Sequence, residues 1–249
     1  MITSADNPRV KDVLRLRKSR ERRRDGLFIA EGVREVERAL AAQLSARVIY
    51  VAPELLPEWT RPGIEEVSAR VLAKMAYRAE PEGLLGVFES PQRVLPTDAT
   101  LVLVAVNVEK PGNLGAMART ADAAGVDALL VAGPNFDPWN PNAIRASTGA
   151  VFTLPVVEVT QADVADLALD KIAAVLGAAR THTDADYTRP TAFLIGAEDA
   201  GLDDTWRALA DDEVVIPMNG AAADSLNAST AAAVLLFEAV RQRATAVRR

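Results

Sequence analysis

Cysteine is absent from the 249 residues, and histidine occurs once, as His182. Without thiols there are no disulfides and no thiolate zinc sites, and a single imidazole cannot build a histidine-rich metal centre. No metal is expected, so any chemistry must run on Arg, Asp, Glu, Ser, Asn or backbone groups. Long apolar runs are also missing. No stretch approaches the roughly 18 uninterrupted apolar residues of a membrane span, and the N-terminal MITSADNPRVKDVLRLRKSR lacks the apolar core of a signal peptide. A cytoplasmic protein is expected. Nucleotide signatures are lacking as well: there is no GxxxxGK, and no GxGxxG follows the apolar run 101–106, which leaves a standard dinucleotide site without support.

Hydrophobic residues make up 49% of the chain, enough at this length for one large or two modest buried cores, and disorder is excluded. The net charge of −6 argues against a polyanionic partner until its distribution is considered. Residues 9–24 carry nine basic side chains and two acidic ones, whereas residues 101–249 carry 11 basic and 19 acidic. A basic arm on an acidic body is one way for an acidic protein to grip RNA.

Asn7-Pro8 reads as an N-cap followed by proline at the first helical position, and Gly26 as a stop, which predicts one helix of four to five turns. Val10, Val13 and Leu14 form its packing face, with the arginines projecting outward. Strands are predicted at 27–30, 47–51 and 84–88, with a helix over 31–42, making a small α/β unit. The segment SPQRVLPT breaks the pattern and places a boundary near residue 95. Beyond it, apolar runs at 101–106, 128–132, 172–176, 192–196 and 213–217 alternate with helical patterns at 113–124, 142–146 and 226–243. Apolar strands without polar alternation, separated by helices, indicate a parallel sheet covered on both faces. ASTAAAVLLF (228–237) is nearly apolar all round, which predicts burial on every side and therefore a second subunit.

Three segments place Gly, Asn, Glu or Ser just after predicted strands, where open α/β sheets bind ligands. In NVEKPGNLGAMARTADAAG (107–125), Arg119 lies off the stripe of Leu114, Met117, Ala118 and Ala121, free to face ligand, solvent or a partner chain. In FLIGAEDAGL (193–202), Gly196 and Gly201 bracket Glu198, as suits close backbone approach and an aimed carboxylate, or simply a surface turn. In IPMNGAAADSLNAS (216–229), Ser225 reads either as the N-cap of the last helix or as a site residue, whereas Asn227 falls inside the predicted first turn and has no capping role there.

In this order and spacing the three segments resemble motifs 1, 2 and 3 of the SpoU/TrmH RNA methyltransferases. N-x(5)-N-x(5)-R is met by Asn107, Asn113 and Arg119, G-x-E-x-x-G by Gly196, Glu198 and Gly201, and IPM...SLN-x-S by Ile216 to Ser229. NPNAIRASTGAVFTLPV (140–156) resembles the family's connecting segment, and ITSADNPRVK through FIAEGVREVERAL resembles the small substrate-binding domain that many members carry. Many relatives have aspartate where this chain has Lys110.

The resemblance implies an α/β-knot domain over 96–249, with a mostly parallel sheet, preceded by a small α/β RNA substrate-binding domain over 1–95. It implies an S-adenosylmethionine-dependent 2′-O-methyltransferase that works as a homodimer without metal. Ribosomal RNA is the expected substrate. Transfer RNA, or a non-catalytic protein binding cofactor and RNA, is the alternative. Backbone around Leu194, Gly196, Ile216, Met218 and Leu226 would hold the cofactor. Arg119, Asn113, Glu198, Ser225 and Asn227 would form the catalytic set, with Glu198, Ser225 and Asn227 arranging Arg119 and the ribose. Arg20, Arg22, Arg23, Arg24 and Arg145 are the expected RNA contacts.

Overall fold

The computed structural model describes residues 1–133, 137–220 and 224–246. The chain divides into two compact units, one of Met1–Gln92 with Trp139–Thr153, the other of Arg93–Pro138 with Leu154–Arg249. In chain order the elements are α1 (Pro8–Arg15), α2 (Ser19–Asp25), β1 (Leu27–Glu31), α3 (Val33–Ala41), β2 (Ala46–Val51), β3 (Ile64–Glu66), α4 (Ala69–Met75), β4 (Leu84–Glu89), β5 (Leu101–Val106), α5 (Pro111–Ala123), β6 (Ala128–Ala132) and α6 (Pro141–Ser147). They continue with β7 (Val156–Glu158), α7 (Gln161–Ala165), β8 (Asp170–Ala174), β9 (Arg180–Thr181), β10 (Thr191–Ile195), α8 (Asp204–Arg207), β11 (Asp212–Val215) and α9 (Ala228–Ala246).

The first unit carries a four-stranded sheet of order β1-β4-β2-β3, antiparallel except for the β2–β3 pair. Val10, Val13 and Leu16 pack with Val71, Leu72 and Met75 of α4 against Ile29, Tyr50, Leu85 and Val87 of the sheet. The ring of Phe28 stacks on Phe88, Trp139 and Phe152 at 5.7, 4.5 and 5.7 Å. These contacts explain why residues 139–153, read from sequence as a connecting segment, belong to the first unit. Asn140 caps α6, its side chain accepting from Asn142 N at 2.9 Å, with Pro141 at the first helical position.

The predicted single helix over 8–25 is instead two. Asn7 caps it as expected, and Gly26 ends α2 in the left-handed conformation with φ of 62°. The break between them has a physical cause. Arg22 is buried and its guanidinium donates to Leu16 O at 2.6 Å, a carbonyl that an unbroken helix would have occupied. Arg22 therefore does not project outward as expected. Arg20, Arg23 and Arg24 are exposed, and Arg24 pairs with Glu21 and Asp25.

In the second unit seven parallel strands lie in the order β7-β6-β5-β10-β8-β11-β9. The central strands β5, β6 and β10 are buried along their whole length, as both-face coverage requires. Val102 and Val104 pack with Val164 and Trp206, while α5 and α9 pack on each other. Strands β7 and β9, of three and two residues, carry too little pattern to be read from sequence. Within one chain α9 buries a single face, through Ala228, Ala232, Leu235, Leu236 and Ala239, and Phe237 stays 49% exposed. The expectation of burial on every side is not met within the chain.

The two roles among these arginines separate experimentally. Arg22→Ala is expected to lower unfolding stability by about 1.5–3 kcal/mol, the usual worth of a hydrogen bond from a charged group. Arg20→Gln should leave the unfolding curve unchanged and flatten the salt dependence of RNA binding by about one phosphate contact. Denaturant unfolding and salt-stepped binding titrations check both.

Candidate active site

From β5 the strand order runs outward in two directions, to β6 and β7 on one side and to β10, β8, β11 and β9 on the other. Open parallel sheets bind ligands beyond the carboxyl ends of their strands at such a reversal. A cavity of about 280 Å³ lies beyond the ends of β8, β10 and β11. Gly196, Ile216, Met218 and Leu226, which the family resemblance assigns to the cofactor, line it. Leu194 does not. It sits inside β10, buried in the core cluster of Val104 and Trp206, because side chains alternate along a strand and only the strand's end reaches the crevice. Leu176 and Ile195 line the cavity without having been anticipated. Both close apolar runs, and that position was the available signal.

The G-x-E-x-x-G loop has a steric explanation. A Cβ on Gly196 would collide with the backbone of Gly201 and lie 2.5 Å from Leu202 N. Gly201 adopts φ of +65° and its N–H donates to Ala197 O at 2.9 Å, closing the loop on itself. The turn brings Glu198 and Asp199 to the cavity wall.

Glu198 meets three donors. Asn113 Nδ2 donates to its Oε1 at 2.7 Å, Asn227 Nδ2 donates to the same oxygen, and Lys110 Nζ pairs with Oε2. Asn227 Nδ2 also lies 3.2 Å from Asn113 Oδ1. Hydrogen bonds from Lys110 and then Asn113 hold the Glu198 carboxyl below the usual glutamate range, and the carboxylate raises Lys110 in return. Lys110, at the N-cap of α5, entered the sequence reading only as a departure from the family pattern; its ion pair with Glu198 was missed.

The question left open at Ser225 and Asn227 has a definite answer. Helix α9 starts at Ala228, and Asn227 is its cap: Oδ1 accepts from Ser229 N at 3.0 Å and Ser229 Oγ at 2.6 Å, and its carbonyl accepts from Thr230 N. Ser225 is exposed and lines the cavity. Ala221–Ala223, within the same motif, lie outside the described residues. Arg119 is exposed on α5 with no hydrogen-bond or ion-pair partner among the described residues. The structure thus joins Asn113, Glu198 and Asn227, with Ser225 on the cavity wall, and leaves Arg119 outside that bonded cluster. Arg145, exposed on α6 and bonded to Asn142 Oδ1 at 3.0 Å, belongs to the first unit along with Arg20, Arg22, Arg23 and Arg24. No group of three or more His, Cys, Asp or Glu is arranged to hold a metal among the described residues.

Residues 100–237 match the model of the SpoU rRNA Methylase family, over more than half of the chain. The chain belongs to the SpoU methyltransferase family. Residues 7–86 match the MRM3-like substrate binding domain. The chain is 36% identical over 246 residues to the 23S rRNA (uridine(2479)-2′-O)-methyltransferase of Streptomyces viridochromogenes, covering 90% of this chain and 85% of that protein. It is 32% identical over 243 residues to the 23S rRNA (guanosine(2553)-2′-O)-methyltransferase RlmP of Bacillus subtilis, covering 95% and 97%. The crystal structure of the SpoU methyltransferase AviRb from Streptomyces viridochromogenes in complex with AdoMet superposes with a TM-score of 0.83 at 31% identity, covering 96% of this chain and 99% of that one. The fold is accordingly the α/β-knot fold of SpoU enzymes, an exception to the rule that chains do not thread.

Because the carboxyl of Glu198 is lowered, its ion pair is complete above the ordinary glutamate range and is lost only as pH falls through the lowered value. A pH–rate profile should therefore show no acid limb from Glu198 between about pH 5.5 and 8. An acid limb in that window that disappears in Glu198→Gln would contradict this assignment. Gly196→Ala should weaken S-adenosylmethionine binding at least tenfold, about 1.4 kcal/mol, in a protein that still folds, as calorimetry can measure.

Proposed function

We propose that this SpoU enzyme transfers a methyl group from S-adenosylmethionine to a ribose 2′-hydroxyl of ribosomal RNA, acting as a cytoplasmic homodimer. One observation carries the reading: an apolar cavity at the strand ends whose G-x-E-x-x-G loop, tied by Glu198 to Asn113 and Asn227, lies beside the cap of the last helix. The lining suits the cofactor. Leu176, Ile195, Ile216, Met218 and Leu226 are apolar, and the charged residues on the wall are, among the described residues, Glu198 and Asp199, complementary to a sulfonium cation and repellent to phosphate. When bound, S-adenosylmethionine supplies an electrophilic methyl group.

The chain's own residues then position the acceptor, and alignment of two reactants supplies up to roughly 7–11 kcal/mol of a barrier. Glu198 is a poor base, since its pKa is lowered and both oxygens are engaged. It holds Asn113, Asn227 and Lys110 in register instead. Arg119, an unengaged guanidinium, grips the phosphate beside the target ribose and orients its hydroxyl. A guanidinium with a pKa above about 12 does not take the proton, which passes to that phosphate or to water. Ser225 borders the ribose from the cavity wall.

Residues 1–95 are assigned to substrate RNA and 96–249 to methyl transfer, with 139–153 contributing to the first unit. Arg20, Arg23, Arg24 and Arg145 are exposed cations assigned to phosphates, and the buried Arg22 is not among them. Ribosomal RNA is preferred because two relatives that align across both regions are named for 23S rRNA. The dimer reading is supported by the outer face of α9, where Ala233, Val234, Phe237 and Val240 are apolar and not fully covered. No described helix is long and apolar enough to cross a membrane, which suits the cytoplasmic assignment.

Arg119→Ala should retain the fold, sedimentation as a dimer and cofactor binding, while losing nearly all methyl transfer to ribosomal RNA. Arg119→Lys distinguishes a planar fork from a point charge: little recovery of activity is expected, because lysine loses the bidentate geometry. Near-normal turnover by Arg119→Ala would overturn the assignment.

A further inference from the structure

Lys110 stands where nothing in the local structure calls for a lysine. It is the N-cap of α5, with Pro111 at the first helical position, and its side chain makes no capping hydrogen bond. Short oxygen-bearing side chains are preferred at such a position, and a cation there opposes the positive end of the helix. Its side chain is 69% exposed, and an ion pair that open to water contributes little to stability. Helix formation and folding therefore leave the residue unexplained.

Its contacts are selective. Lys110 Nζ takes Glu198 Oε2, whereas Asn113 Nδ2 and Asn227 Nδ2 both donate to Oε1. The two oxygens are thus divided, one for the cation and one for the amides. Lys110 and Asn113 belong to a single turn, since the Lys110 carbonyl accepts from Asn113 N at 3.0 Å and from Leu114 N at 3.2 Å, and both meet the carboxylate from that turn. Asn227 meets it from the start of α9. Closure of the loop at Gly196 and Gly201 restrains the backbone around Glu198, but the side-chain torsions still have to be chosen by its partners. Of the three donors Lys110 alone is charged. Asp199 also acts on that charge, less strongly than Glu198.

We propose that Lys110 is a positioning residue for methyl transfer: by occupying Glu198 Oε2 it keeps Oε1 turned to Asn113 and Asn227 and so fixes both amides with their nitrogens inward. An ionised carboxylate only accepts, so each amide must present its nitrogen to it. The amide oxygens are thereby assigned as well, Asn113 Oδ1 lying 3.2 Å from Asn227 Nδ2 and Asn227 Oδ1 capping α9. Without the cation the carboxyl turns toward water, the amides lose their common acceptor, and the acceptor side of the site loosens. Lys110 does not line the cofactor cavity, so cofactor binding does not depend on it. The proposal rests on the methyl-transfer reading of this site.

The test is Lys110→Met in the full chain, which keeps the length of the side chain and removes its charge, with thermal unfolding reporting that the variant is folded. On ribosomal RNA from cells lacking the gene, kcat should fall at least fivefold, while KM for RNA and the Kd for S-adenosylmethionine change less than twofold. In NMR spectra the side-chain amide signals of Asn113 and Asn227 should move. The Glu198 carboxyl should titrate at a higher pH than in the wild type, because the hydrogen bond from Lys110 is the largest influence lowering it. An unchanged kcat in the folded variant, or amide signals that stay in place, would overturn the proposal. A raised KM with an unchanged kcat would also overturn it, and would make Lys110 a contact to RNA phosphate instead. A wild-type chain that does not methylate ribosomal RNA would overturn the reading on which the proposal rests, and the amide signals would still decide whether Lys110 holds Glu198 in place.

Discussion

The side-chain amide of Asn227 is used at both ends, and the second unit depends on that double use. Its oxygen caps α9 through Ser229, and its nitrogen donates to Glu198 and lies against Asn113. One residue therefore couples the start of the last helix, the loop after β10 and the first turn of α5. Steric closure of the loop at Gly196 leaves Glu198 little freedom to point elsewhere, so the cluster is rigid for geometric reasons as well as for its hydrogen bonds.

That rigidity constrains the chemistry. A carboxylate surrounded by three donors is stabilised as an anion and gives up its value as a proton acceptor. The site then resembles a frame more than an acid–base pair, with acceleration drawn from placing the hydroxyl in line with the methyl group. Lys110 fits the same logic. It adds a positive charge beside Glu198, and Asp199 on the same cavity wall also interacts with that charge. The charge of the second unit is net acidic and that of the first helices net basic, which suits a cation and a polyanion respectively.

Much of this was legible in the sequence because the determinants are local. Apolar runs such as LVLVAV and ALLVA became β5 and β6 at the predicted bounds, and Asn7-Pro8 and Gly26 marked the ends of the N-terminal helical region. What was not legible depended on tertiary partners. The break at Leu16 exists because a buried guanidinium six residues later needs that carbonyl. The placement of 139–153 follows from Phe28, more than a hundred residues away, stacking on Trp139 and Phe152. Asn227 looked purposeless inside a helix only because the helix was begun two residues too early; begun at Ala228, it is a cap. Backbone around Leu194 was assigned to the cofactor through the family resemblance, and strand alternation turns the Leu194 side chain into the core.

The central claim is that this frame serves methyl transfer to a ribose hydroxyl of ribosomal RNA. Mapping 2′-O-methyl groups in ribosomal and transfer RNA from cells with and without the gene tests it most directly. The account predicts one ribosomal position that loses its methyl group when the gene is removed and regains it on re-expression of the intact chain, but not of Arg119→Ala. Unchanged ribosomal maps, with the loss found in transfer RNA or nowhere, would contradict it.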